Sequence, residues 1–118
     1  HHMDHGRYPA FFSQLLRVLA PGGQFLAADY VRSRSDVVQS RYEDIWVDFR
    51  VRQLRDRVGI RKSREEMLEE HERNKKEEGD NPAPLRDLLR WLEAAGFMDV
   101  DCHWKHYCLG IYGGAKPA

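Results

Sequence analysis

The stretch that decides the fold is FFSQLLRVLAPGGQFLAADYV, Phe11 to Val31. Phe11, Leu15 and Leu19 recur every four residues and Phe12 and Leu16 follow one step on, so helical winding gathers them into one wide apolar stripe. Pro9 stands near the start, where a missing N–H costs nothing. Ala20-Pro21-Gly22-Gly23 ends the stripe, because proline cannot continue a helix and glycine takes the left-handed conformation that reverses the chain. Phe25-Leu26-Ala27-Ala28 is then apolar at every position. A strand with one wet face alternates, so this run predicts a strand covered on both faces, as in a parallel sheet flanked by helices. The fold class is therefore α/β.

The whole chain bounds the rest. Its 118 residues make one domain at most, enough for a core but too few for a complete doubly wound sheet. Lys plus Arg equals Asp plus Glu, and this balance points to neither nucleic acid nor an acidic membrane surface. No apolar run is long enough to span a bilayer and no signal-peptide pattern is present, so a cytoplasmic location is expected. Two cysteines in such a chain read as reduced thiols.

His1-His2-Met3 reads either as the tail of a tag or as native sequence. Asp29 and Tyr30 fall at the carboxyl end of the apolar strand, where open α/β sheets carry their ligands. Asp29 either serves that chemistry or accepts N–H bonds from the following loop. Val38, Tyr42, Ile45, Trp46, Phe49 and, less regularly, Leu54 and Val58 form a helical stripe that Gly59 closes. Its aromatic face can line a pocket, meet a partner or be core. Ser63-Arg64-Glu65-Glu66 is a capping box that opens a second, mostly solvated helix running to Glu78. Gly79 to Pro84 is the clearest break. Leu85, Leu88, Leu89 and Leu92 form the last helical stripe, with Gly96 as its stop. Phe97 to Lys105 alternates and Tyr107 to Tyr112 follows closely, which predicts an antiparallel hairpin with a tail from Gly113.

Chemical motifs are sparse. Cys102, His103, His106 and Cys108 are zinc-ligand types, but strand alternation sends neighbours to opposite faces. No metal is assigned; the cysteines read as small core residues, placed opposite each other if the hairpin loop is odd. There is no nucleophile elbow, no placed carboxylate pair and no glycine-rich phosphate loop. No catalytic residue can be named.

The ordered segments resemble a family. RVLAPGGQFLAADYV looks like the helix, Pro-Gly-Gly turn and fifth strand of class I S-adenosylmethionine-dependent methyltransferases. LRDLLRWLEAAGFMDVDCHWKHYCLGIYGG is similar to their last helix and closing hairpin. RYEDIWVDFRVRQLRDRV and SREEMLEEHERNKKEEGDNPAPL resemble the two-helix insertion of the branch that includes tRNA carboxymethoxyuridine-forming enzymes. HHMDHGRYPAFF resembles the stretch after the fourth strand, which favours the native reading of His1-His2.

The resemblance covers nearly all of this chain but about the carboxyl half of the family's domain. It implies a single partial domain over 1–118, with the helical insertion at about 37–78, and a Rossmann-like sheet reduced to three strands with about four helices. The last strand is expected antiparallel between the other two. S-adenosylmethionine is the expected cofactor of a longer protein, with none expected on this fragment. His1 and His2 fall on the cofactor side and face the reaction with Asp29; Tyr30, Tyr42 and Trp46 lie toward the acceptor. An exposed strand edge then requires either the missing amino-terminal half or a second copy, as a homodimer that can be strand-exchanged. The competing reading is a non-enzymatic helical interaction or dimerisation module. Nucleic-acid binding is the weakest, since no basic face emerges.

Overall fold

The computed structural model describes all residues 1–118 as an α/β chain with four helices and one three-stranded antiparallel sheet. Two compact units are distinct: His1–Arg34 with Asn81–Ala118, and Ser35–Asp80.

The first unit begins with a short 3-10 turn at His5–Arg7, whose Gly6 N–H bonds the Asp4 carboxylate. Helix α1 spans Tyr8–Val18 with proline in its first turn. Gly22, with φ of 77°, makes the reversal into strand β1, Gln24–Tyr30. Helix α4 spans Leu85–Ala95 and stops at Gly96, also left-handed. Strands β2, Met98–His106, and β3, Leu109–Ala115, form the hairpin. The strand order is β1-β3-β2, with β3 antiparallel to both neighbours.

Packing follows the apolar stripes on one side only. Phe12, Val31, Leu88, Leu92, Phe97 and Tyr112 form the buried core beneath α1 and α4. β3 lies antiparallel between β1 and β2, as expected of the last strand. The expectation that β1 is covered on both faces fails, since its residues alternate between half-buried and exposed. Register places Ala28, Ile111 and Trp104 in one row across the sheet, on the face opposite the core residue Tyr112. Leu26 is 60% exposed and Trp104 51%. The cause is supply: within this unit both helices serve one face, so the other remains apolar and open.

The hairpin also departs from simple alternation. Bulges fall between Met98 and Asp101 and between Cys102 and Trp104, the first with Asp99 at φ 53°. Cys102 is paired with Tyr112 and Cys108 lies in the turn, so the cysteines are not opposite each other, and no disulfide joins them. Gly113 and Gly114 belong to β3 and are buried, not part of a tail. A β-carbon on Gly113 would come within 1.9 Å of the Phe25 carbonyl oxygen, so only glycine lets β1 approach this closely.

The second unit holds helix α2, Asp36–Gln53, a π-helical turn at Leu54–Val58, and helix α3, Arg64–Glu78. Ser35 and Ser63 cap the helices by accepting from the N–H groups of Val38 and Glu66. Only Val47 and Met67 are buried. The aromatic stripe of α2 is not a core: Trp46 and Tyr42 are half-buried, while Ile45 and Phe49 are exposed. Arg64 reaches Asp48 at 2.9 Å and Asp44 at 2.8 Å, and Lys75 reaches Glu43 at 2.8 Å, so charge pairs surround a small apolar contact.

Candidate functional site

The carboxyl end of β1 gathers the chemistry of the first unit. Asp29 is held from three directions: Oδ1 lies 2.6 Å from Nδ1 of His1 and accepts the Tyr30 N–H at 2.7 Å, while Oδ2 accepts the His1 backbone nitrogen at 3.1 Å. A ring nitrogen this close to a carboxylate must carry the proton, or two lone pairs would face each other. Asp29 therefore holds hydrogen on Nδ1, and in the neutral ring Nε2 is then the acceptor. The His2 ring lies 4.0 Å from that of His1, and Tyr30 meets His1 edge-on at 5.1 Å.

The amino-terminal segment is positioned by Asn81, which sequence reading placed in a linker. Its N–H donates to the His1 carbonyl at 2.6 Å, its side-chain amide donates to the Met3 carbonyl at 3.3 Å, and its carbonyl lies 3.0 Å from Nε2 of His5. No sequence signal marks Asn81 beyond its place in a turn-forming run. Tyr8 was also missed, although it stands one helical turn before Phe12 and extends the same stripe. It is buried and stacks on Trp91 at 5.3 Å.

Tyr8 and Tyr112 are both core residues of this unit and lie within electrostatic reach of Asp29. Burial, then the Asp29 charge, raises the Tyr8 phenol above its ordinary range. Burial raises Tyr112 further, with smaller contributions from Tyr8 and Asp29. Both phenols therefore stay neutral. A carboxylate that orients an imidazole, with the second ring nitrogen left to accept, is the arrangement of a general base.

Of the expected site residues, His1, His2, Asp29 and Tyr30 come together at this strand end. Tyr42 and Trp46 lie on α2 in the other unit. That unit has its own cluster, in which ligand atoms of Glu43, His71 and Glu72 lie within 4.8 Å of one another. Lys75 already answers these carboxylates, at 2.8 Å from Glu43 and 3.5 Å from Glu72. The cluster is thus an ion-pair network; Nε2 of His71 is buried in it without a hydrogen-bond partner. Desolvation, then the Lys75 charge, lowers the His71 pKa. No protein-family model matches the sequence, and no match is found among curated proteins.

Proposed function

We infer that the chain is the carboxyl-terminal portion of a class I S-adenosylmethionine-dependent methyltransferase. The observation that carries this reading is the strand order β1-β3-β2, with β3 antiparallel between two strands that run the same way. The Pro-Gly-Gly reversal, the acidic residue ending β1 and the open outer edge of that strand support it. So does the uncovered row of Ala28, Ile111 and Trp104, which a doubly wound sheet would place under a second helix layer.

On this reading S-adenosylmethionine binds mainly to the amino-terminal half, supplying an electrophilic methyl group. His1 and His2 sit on its side of the site. Nε2 of His1, poised by Asp29, takes the proton lost by an oxygen or nitrogen acceptor, and Tyr30 borders the acceptor. The chain's contribution is orientation and proton removal. The test is calorimetry with S-adenosylmethionine on the 118-residue chain and on the longest product of its gene. Binding by the longer product alone is expected. A longer product that binds no donor, or a gene with no glycine-rich strand-loop-helix upstream, would overturn the assignment.

One observation favours the alternative of a helical interaction or dimerisation module: Ile45 and Phe49 leave an apolar strip of α2 in solvent. Light scattering separates them. A homodimer that persists when the open β1 edge is blocked, but dissociates on Phe49→Glu, supports the module.

A further inference from the structure

The connection from α2 to α3 carries a charge asymmetry that the neutral chain conceals. Arg50 to Arg64, RVRQLRDRVGIRKSR, contains seven bases and one acid, Asp56. Three bases are answered inside the unit: Arg55 by Asp56, Lys62 by Glu70, and Arg64 by Asp44 and Asp48. Arg57 and Arg61 have no such partner. Every residue from Arg55 to Arg61 is exposed. Within that run Val58 and Ile60 flank the left-handed Gly59 and are 62% and 46% exposed.

We propose that this exposed run is a peripheral docking site for an anionic lipid surface. A polyphosphate backbone would account for the arginines alone. It would leave Val58 and Ile60 in water, and no aromatic side chain between Arg50 and Arg64 is available to stack on bases. A bilayer interface takes both: aliphatic tips enter the headgroup boundary while guanidinium groups stay at phosphate level on their long stems. The contact is peripheral, as no helix is long and apolar enough to cross a membrane. Each arginine near such a surface strengthens binding about fivefold, so two unpaired arginines and two aliphatic tips give reversible attachment. This site is independent of the methyltransferase reading.

Sedimentation of the 118-residue chain with vesicles tests it. Binding is expected to vesicles containing about 30% phosphatidylserine and not to pure phosphatidylcholine, weakening as salt rises above about 0.1 M. R57Q/R61Q should weaken it about thirtyfold, and V58N/I60N about tenfold or more. In a V58W variant, indole emission should shift to the blue with anionic vesicles only. All four positions are exposed, so an unchanged far-ultraviolet dichroism spectrum verifies folding. Equal sedimentation with neutral vesicles, or indifference to either double substitution, would overturn the proposal. So would binding to a short RNA duplex that R57Q/R61Q abolishes and V58N/I60N spares while the vesicles remain bare.

Discussion

Replacing Gly113 by alanine tests the sheet at its centre. Gly113 pairs with Leu26 on one side and Asp101 on the other, so β3 cannot shift without disturbing both ladders. Its added β-carbon would lie 1.9 Å from the Phe25 carbonyl oxygen, 2.9 Å from that carbonyl carbon and 3.1 Å from Leu26 Cα. These are backbone atoms, so no rotamer change relieves them and a strand must move by more than an ångström. Overpacking of a core costs about 1–3 kcal/mol, and contact with backbone belongs at the upper end, about 3 kcal/mol. In a unit of about 70 residues that lowers the midpoint of thermal unfolding by roughly 12–24 °C. Two neighbouring glycines calibrate the effect. At Gly114 the nearest atoms are Cγ2 of Val100 at 3.0 Å and Cβ of Phe97 at 3.1 Å, of which the Val100 methyl can yield, so alanine should cost about 1–2 kcal/mol. At Gly110 the nearest atom is Cγ2 of Val31 at 3.4 Å, an ordinary contact, and the cost should stay below about 1 kcal/mol. Near-ultraviolet dichroism during heating reads all three. A Gly113→Ala variant as stable as Gly110→Ala would mean that β1 does not lie against β3 in this register.

Other expectations follow from the two units separately. Met67→Ala should cost the helical pair about 2–4 kcal/mol, because Met67 and Val47 are its only buried side chains. Arg64→Ala should change stability little, since both of its ion pairs are exposed to solvent screening; amide exchange in α3 distinguishes the two results, and an Arg64 effect larger than that of Met67 would contradict the packing. The lowered pKa of His71 means that the unfolded chain binds the proton more tightly, so stability is full above about pH 6.5 and falls as the pH drops toward the folded value. His71→Gln should flatten that slope in exchange measured at pH 5.5 to 7.5, a range bracketing the free imidazole; an unchanged slope would assign it to other groups. Absorbance at 295 nm, the tyrosinate band, should show a late ionisation that Tyr112→Phe removes, and an unaltered curve would place that phenol in water. Nitrogen-correlated spectra of the His1 ring should report hydrogen on Nδ1, lost in Asp29→Asn; hydrogen on Nε2 in the parent would remove the general-base geometry.

The elements were legible because their signals are local. The α1 stripe, the Pro-Gly-Gly reversal, the Ser63 cap and the Gly96 stop each act within one or two turns of chain. Burial was less legible, because an apolar residue states a need for cover without saying where the cover is. Leu26 read as interior, and Ile45 as pocket lining, partner face or core; both lie in solvent, since both faces of β1 and the whole stripe of α2 ask for more partners than their own units contain. Gly113 and Gly114 resembled a tail because the reason for them, the approach of Phe25 and Phe97, is long-range. The meeting of His1 with Asp29 depends on Asn81, far along the chain, and composition carries no trace of it. The basic run from Arg50 to Arg64 vanished for another reason: averaging over 118 residues cancels it against the glutamates of α3.

The central claim is that β1 is an interior strand of a larger sheet, and hydrogen exchange at Gln24–Tyr30 tests it most directly. In the 118-residue chain, the β1 amides that do not bond to β3 should exchange at rates near those of free peptide. In the longest product of the gene the same amides should become strongly protected, and addition of S-adenosylmethionine should slow them further. Equal, rapid exchange in both would contradict the account, as would protection that rises only with the concentration of the short chain, which would mark a second copy as the strand's natural neighbour.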